Sequence, residues 1–169
     1  MTIEERLRLL EDRAKIHELV ARYGRVLDDR DFEAVGSLYT EDAIFDTPAG
    51  RIVGRKGVVD YYRERMAQFG PTYHYPHSTE IEFAGSGHAS GVVAAHAEVA
   101  VDGETVWVAL RYHDTYRRGP EGWQFYERQV RLLYVSKLSE LPQMLADPLR
   151  VRWPGTPPQR AALGYAEDE

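Results

Sequence analysis

Hydrophobic residues in the first part of the chain recur at the three- and four-residue spacing of helices. Residues 3–27 predict an amphipathic helix with one apolar stripe, made of Ile16, Leu19, Val20, Tyr23, Val26 and Leu27. Thr2 and Glu5 have the pattern of a capping box at its start. Asp31 is the predicted N-cap of a second, short helix, and a third is predicted over RKGVVDYYRERMAQFG. Two short strands are expected before the third helix, in DAIFDTPAGRIVG.

From residue 77 onward the spacing of the hydrophobic residues changes to two, which indicates strands at about 78–84, 89–101, 105–117 and 122–135. Asp102-Gly103 is a strong hairpin signal between the second and third of these strands. Helices followed by strands predict an α+β fold, in which a curved antiparallel sheet packs on about three N-terminal helices. We expect this single domain to span residues 1–137.

Residues 138–169 differ in composition from the rest of the chain. They contain five prolines and an acidic end, which disfavours a helix or a central strand. Because Leu149 and Trp153 are apolar, we expect part of this tail to pack on the domain or on a neighbouring subunit.

Composition and charge narrow the function classes. The chain has no cysteine, so disulfides, thiolate metal sites and cysteine nucleophiles are excluded. The net charge of −6 comes without a block of Lys and Arg, which argues against a nucleic-acid partner. The charged N-terminus does not resemble a signal peptide, and no apolar run predicts a membrane span, so a soluble, cytoplasmic protein is expected. Eleven tyrosines and three tryptophans suit either a ring-lined pocket or an oligomer interface.

Residues 71–83, PTYHYPHSTEIEF, contain two histidines that differ in predicted role. If a regular strand begins near His77, this residue shares a face with Ile81 and Phe83 and points into the core. A buried histidine satisfied by a backbone group would show the same pattern. His74 is predicted in a loop at the rim, where it is close to a proline. No third ligand has metal-site spacing, so a metal centre is not predicted.

Asp28 is the predicted partner of His77. It falls at the negative end of the first helix dipole, where a carboxylate costs about 0.3–1 kcal/mol unless a partner offsets that cost. An inward histidine would be such a partner, because the carboxylate would fix its tautomer and stabilise its protonated form. The pair would then act as a general base, since no serine elbow or cysteine accompanies it. Tyr23 faces the same interior as a hydrogen-bond donor, although a tyrosine on an apolar stripe is also typical of a core.

Several further residues are candidates for lining a substrate pocket. Tyr112 shares a strand face with two apolar residues. Arg131 would bind an anionic substrate group or only form a surface ion pair. His96 is predicted to point away from the pocket, because the opposite face of its strand is more uniformly apolar. The substrate-binding candidates are Tyr112, Tyr39, Thr47, Trp107 and Arg131.

The order of motifs across roughly residues 8–135 resembles the SnoaL-like branch of the nuclear transport factor 2-like superfamily. The matching segments are RYGRVLDDRDFEAVGSLYTEDAIFD, GRKGVVDYY, PHSTEIEF with GHASGVV, and RYHDTYRRGPEGWQFYER. Within that branch the chain is most similar to scytalone dehydratase, bile-acid 7α-dehydratase and hexachlorocyclohexane dehydrochlorinase. The resemblance implies a cone-shaped α+β domain with an internal pocket, and members are commonly trimeric. It also implies a catalytic aspartate, histidine and tyrosine at Asp28, His77 and Tyr23.

The chain departs from these enzymes at the positions that contact the leaving group. The two water-holding tyrosines of scytalone dehydratase fall near Leu27 and Thr47, and its Ser and Asn pair falls near Leu110 and Tyr112. A polar residue of several members falls near Ala97.

These patterns predict a lyase of the dehydratase type that acts on a small apolar or cyclic organic substrate with no cofactor. An isomerase or a polyketide cyclase on the same scaffold is the alternative within enzymes, and a ligand-binding domain without chemistry is the alternative outside them. We expect a homo-oligomer, with a trimer favoured over a dimer.

Overall fold

The computed structural model describes residues 1–162, and the acidic end of the tail, residues 163–169, lies outside the described residues. The first half of the chain supplies three helices and two short strands: α1 (Ile3–Asp28), α2 (Phe32–Ser37), β1 (Tyr39–Thr47), β2 (Gly50–Val53) and α3 (Arg55–Met66). The second half supplies four long strands and two short helical turns: β3 (Thr72–Phe83), β4 (His88–Val101), β5 (Glu104–Gly119), β6 (Gly122–Lys137), a 3₁₀ turn (Leu138–Glu140) and α4 (Leu141–Met144).

Local sequence explains where the first two helices begin. The Glu5 amide donates to the Thr2 hydroxyl, and the Thr2 amide donates to the Glu5 carboxylate, which completes the predicted capping box. The Asp31 carboxylate accepts from the Ala34 amide at the start of α2. The apolar stripe of α1 is buried from Ile16 to Leu27.

The six strands form one curved sheet in the order β2-β1-β6-β5-β4-β3. Strands β3 to β6 are an antiparallel meander, and β1 joins its far side by pairing in parallel with β6. Helices α1 and α3 pack against the sheet, so that most of the core lies between helices and sheet. This is the predicted α+β fold. Strand β3, however, begins at Thr72 instead of near residue 78, so His74 lies in a strand and not in a loop.

A β-bulge in β3 reverses the direction of its side chains. Pro76 pairs with Ala95 and Ser78 with Ala94, so His77 is the extra residue. Counted backward from Ile81, the side chains alternate regularly as far as the bulge. At the bulge the alternation shifts by one residue, so the side chains before it point to the face opposite to the one that regular alternation predicts. His77 is exposed on the outer face of the sheet, where its Nε2 lies 2.5 Å from Nδ1 of His96. The prediction that His77 points into the core is wrong, because it assumed a regular strand.

An ion pair lies at the centre of the core between facing residues of β5 and β6. The guanidinium of Arg128 donates to both carboxylate oxygens of Asp114 at 2.8 and 2.7 Å, and both side chains are completely buried. The Tyr116 hydroxyl donates a third hydrogen bond to Asp114. Burial lowers the pKa of Arg128, but Asp114, together with smaller contributions from Tyr39 and Tyr23, keeps that pKa above its ordinary value.

The tail returns to the domain. Val151 bridges to Val135 of β6 and to Gln159, and the Trp153 ring stacks on Phe69 with ring centres 5.7 Å apart. None of the helices within residues 1–162 combines the length and apolar composition that a membrane-spanning segment needs.

We expect Asp114→Ala to reduce the free energy of unfolding by about 3–5 kcal/mol, because it leaves the buried Arg128 charge without its partner. Asp42→Ala is the matched control, since Asp42 pairs with Arg117 at an exposed site and its loss should cost at most about 1 kcal/mol. Urea unfolding of both variants measures the difference. Equal losses would contradict the central role of the buried pair.

We also expect His96 to make stability depend on pH. Burial lowers the pKa of His96 from its ordinary value of 6.5, His77 lowers it further, and Glu98 opposes both. As the pH falls below 6.5, the unfolded chain therefore binds a proton that the folded chain does not, and stability decreases. Between about pH 8 and about pH 5.5, urea unfolding should show a smaller loss for His96→Gln than for the wild type. His17→Gln, at an exposed site on α1, should keep the wild-type slope.

Candidate active site

Helix α1 ends in a turn that presents Asp28 to the sheet. The Asp31 amide donates to the carbonyl of Val26 and the Arg30 amide donates to that of Leu27, which is the Schellman arrangement of a helix C-terminus. Arg30 takes the left-handed conformation with φ of 59°, a position usually filled by glycine. The helix is therefore regular through Asp28, and the turn after it brings the carboxylate to the sheet.

Arg30 offsets its backbone strain with its side chain. The guanidinium donates to the Thr72 hydroxyl at 2.8 Å and to the Gly70 carbonyl at 2.7 Å. The Thr72 hydroxyl in turn donates to Asp28 at 2.9 Å. One arginine thus ties the end of α1 to the start of β3 and orients the carboxylate between them.

The Asp28 carboxylate forms hydrogen bonds with two groups of His74, the ring and the backbone amide. Oδ1 lies 2.6 Å from Nδ1 of the His74 ring, and Oδ2 accepts from the His74 amide at 2.8 Å. Both side chains are about one-seventh exposed, at 15% and 14%. Because an ionised carboxylate only accepts hydrogen bonds, Nδ1 carries the proton and donates it. Nε2 is then the ring atom that is free to accept a proton from a ligand.

The hydrogen bonds between Asp28 and His74 require α1 and β3 to lie close together. Gly24 lies one helical turn before Asp28, and a Cβ at this glycine would approach the His74 carbonyl oxygen to 3.1 Å and its Cβ to 3.2 Å. A larger residue would push the strand away from the helix. Gly24 therefore allows the short distance that the hydrogen bonds of Asp28 require.

His74 lines a cavity of about 450 Å³ between the sheet and the helices. The strands contribute an apolar wall: Ala97, Val99, Val108, Leu110, Val130 and Leu132. The helices, the β1–β2 turn and the tail contribute rings and polar groups: Tyr23, Tyr61, Tyr62, Arg65, Thr47, Phe69, Trp153, Thr156 and Gln159, among others. A cavity of this size, mostly apolar and with few polar groups, is typical of a small-molecule site.

Three tyrosine hydroxyls form a chain that reaches the cavity beside the histidine. Tyr62 lies 3.1 Å from the hydroxyl of Tyr39 and 2.9 Å from that of Tyr23. Burial raises the pKa of Tyr39 and of Tyr62, so both stay protonated near neutral pH. If Tyr39 donates to Tyr62 and Tyr62 to Tyr23, no proton is buried without an acceptor. The Tyr23 hydroxyl, which also forms a hydrogen bond with Tyr112, is the end of this chain at the cavity, and the Tyr23 ring lies 6.2 Å from that of His74.

Arg128 lies behind these rings. Its guanidinium carbon is 4.2 Å from the centre of the Tyr23 ring, 4.1 Å from Tyr112 and 3.9 Å from Phe125. Its Nη1 has no hydrogen-bond partner among the described residues and rests among aromatic rings. The positive charge partly offsets the rise in the pKa of Tyr112 that burial causes, which makes the hydroxyl a better donor.

The predicted catalytic and substrate-binding residues other than Asp28 fall in three places. Tyr23, Tyr112 and Thr47 line the cavity. Tyr39 is fully buried behind it, where it supports Tyr62. Whether any of these residues contacts a substrate remains a prediction.

Three predicted residues lie outside the cavity, on the other face of the sheet. The residues on either side of Trp107 in β5 point to the inner face, so Trp107 points to the outer face. There its ring centre lies 5.3 Å from that of His96. Arg131 lies between two cavity residues of β6 and pairs with Asp46 at 3.9 Å. His77 lies beside His96, as described above. The predictions that Trp107 and Arg131 line the pocket and that His77 pairs with Asp28 are therefore wrong.

The sequence patterns did not predict His74 as the partner of Asp28, and they did not predict roles for Tyr62 or the Asp114–Arg128 pair. The signal for Asp114 was present, since it alternates with Tyr112 on the inner face of β5. The signal for His74 was the proline at residue 76 in a strand, a residue that commonly marks a bulge. Among residues 1–162, no group of three or more His, Cys, Asp or Glu side chains could hold a metal ion.

Comparisons with known proteins place the chain in a family. The model of the SnoaL-like domain matches residues 8–129. A hexachlorocyclohexane dehydrochlorinase, LinA type 2, superposes with a TM-score of 0.74 at 20% identity, over 89% of this chain and 99% of that chain. A Novosphingobium aromaticivorans protein that carries the provisional name scytalone dehydratase gives 0.75 at 20% identity, over 95% and 97% of the two chains.

A curated relative extends the same relationship to sequence. The uncharacterized protein Rv2910c of Mycobacterium tuberculosis is 28% identical over 123 residues, which are 70% of this chain and 84% of that protein. The domain match, the helices and the six-stranded curved sheet agree with one another. The chain belongs to the SnoaL-like family, within the nuclear transport factor 2-like superfamily.

Proposed function

We propose that the protein is a cofactor-independent lyase that removes water or halide from a small cyclic organic substrate. The observation that carries this proposal is the hydrogen bond of 2.6 Å between Asp28 and His74 at the wall of an apolar cavity. A histidine whose Nδ1 is held by a carboxylate is a general base at Nε2, and no metal or redox group is needed for that chemistry.

The proposed reaction is an elimination. Nε2 of His74 takes a proton from the carbon next to the one that bears the leaving group, and the electrons of that C–H bond form a carbon–carbon double bond. The bond to oxygen or halide breaks with its electron pair. Asp28 stabilises the imidazolium, and the Tyr23 hydroxyl donates to the departing group.

Two structural neighbours on the same scaffold carry the names of eliminating enzymes. One is named for the loss of hydrogen chloride and another for the loss of water. At 20% identity they establish the fold alone, so the activity of this chain is inferred from its own dyad and cavity.

Three alternatives use the same site. An isomerase or a polyketide cyclase would return the proton or join two carbons, without a leaving group. A ligand-binding domain would use the cavity with no proton transfer. Release of water or halide distinguishes a lyase from the first two, and loss of turnover in dyad variants distinguishes an enzyme from the third.

Replacement of the dyad should abolish turnover of a substrate found by screening cyclic hydroxylated and halogenated compounds. We expect His74→Gln to lower kcat/KM by about 10²–10⁴-fold, because the base is lost, and Asp28→Asn to lower it in the same direction. Halide release, or the absorbance of the new double bond, measures the rate. His77→Gln on the same strand is the control and should stay within about twofold of the wild type. If His77→Gln fails and His74→Gln does not, the assignment of the base is reversed.

We also propose that the chain forms a homo-oligomer through the outer face of the sheet. Tyr73 and Tyr75 are 53% and 43% exposed there, next to the His77–His96 pair. An exposed aromatic surface of this kind is typical of an interface.

Light scattering coupled to gel filtration should give a mass above that of one 19.3 kDa chain, with three chains favoured. Tyr73→Glu combined with Tyr75→Glu should lower that mass, because two carboxylates would be buried at the contact. Leu7→Glu, at an exposed site on α1, should leave it unchanged. A monomer at all concentrations would contradict the proposal.

A further inference from the structure

Arg65 is a charged residue in the wall of the cavity that the proposed elimination does not use. It lies in the last turn of α3 and lines the cavity together with Phe69 and Trp153. Its guanidinium carbon is 4.6 Å from the centre of the Phe69 ring and 5.0 Å from that of Trp153. The two rings are nearly parallel, at 15°, so they form a platform that fixes the guanidinium.

Among the residues that the structure describes, no carboxylate pairs with Arg65. Within residues 1–162 the side chains that line the cavity include no Asp or Glu, and Arg65 forms no ion pair. Its one side-chain hydrogen bond in this part of the chain is from Nη1 to the amide oxygen of Gln68, at 3.0 Å. A guanidinium has five N–H donors, so most of them stay available to a ligand.

Arg65 differs in this respect from its neighbour Arg63. Arg63 pairs with Asp60 at 3.2 Å and packs over Phe32, away from the cavity. The two arginines belong to the same helix, but within residues 1–162 only Arg63 has a carboxylate partner. This difference marks Arg65 as a binding group.

His74 and Arg65 belong to separate parts of the cavity wall. His74 lies on β3 beside Tyr23, whereas Arg65 lies on α3 with the tail residue Trp153. A ligand that fills the apolar space between them presents a carbon to the histidine and a second group to the guanidinium.

We propose that Arg65 binds a carboxylate on the substrate, so that the substrate class is a cyclic carboxylic acid with its reacting carbons toward His74. This inference deepens the proposed function and rests on it for the reacting end, but the carboxylate site can be tested by binding alone. The platform of Phe69 and Trp153 holds the guanidinium in place, which reduces the entropy lost when a carboxylate binds.

The experiment compares ligands that differ only in charge. Binding of 2-naphthoate and of 2-naphthamide, and of benzoate and benzamide, is measured by calorimetry and by quenching of tryptophan fluorescence. We expect the wild type to bind each carboxylate about tenfold more tightly than its amide, as a charge-assisted hydrogen bond would give. Arg65→Met should remove this preference, and Arg65→Lys, which keeps the charge, should retain part of it.

Two control variants separate this proposal from others. Arg63→Met should keep the full preference for carboxylates, because its charge is not in the cavity. His74→Gln should keep it as well, so a failure of the elimination mechanism would not alter this result. A wild type with no carboxylate preference, or an Arg65→Met that weakens acid and amide equally while its urea midpoint is unchanged, would overturn the proposal.

Discussion

The site depends on the hydrogen bonds by which Asp28 joins the end of α1 to the first residues of β3. One carboxylate accepts from the ring and the backbone of His74 and from the Thr72 hydroxyl. A carboxylate at a helix C-terminus faces the negative end of the dipole, at a cost of about 0.3–1 kcal/mol. Three donors from β3 offset that cost, and they lock the helix to the strand at the distance that Gly24 permits.

A second constraint is the burial of a charged pair beneath an apolar cavity. Asp114 and Arg128 are fully buried and satisfy each other, and the rings of Tyr23 and Tyr112 cover the guanidinium. A buried ion pair is weak evidence for stability, since its desolvation cost can exceed its attraction. Its position behind the tyrosines suggests another reason for its presence. It supplies a fixed positive charge near the hydroxyls without exposing a cation to the ligand.

The sequence was sufficient for the fold but only partly for the site. Helix periodicity, the capping box at Thr2 and the Asp102-Gly103 hairpin are local signals, and the elements they predict are present. Asp28 was found because a carboxylate at that position needs a partner. The wrong histidine was chosen because alternation was counted backward from Ile81 through a bulge that periodicity cannot detect.

The polar groups around the cavity come from different elements of the chain. The proposed base comes from the junction of α1 and β3, the hydroxyl chain from α1, β1 and α3, and the proposed anion site from α3 and the tail. Under these proposals, a change at Arg65 or Trp153 alters what the cavity holds without disturbing the hydrogen bonds of Asp28. Proton chemistry and substrate choice are then carried by separate elements.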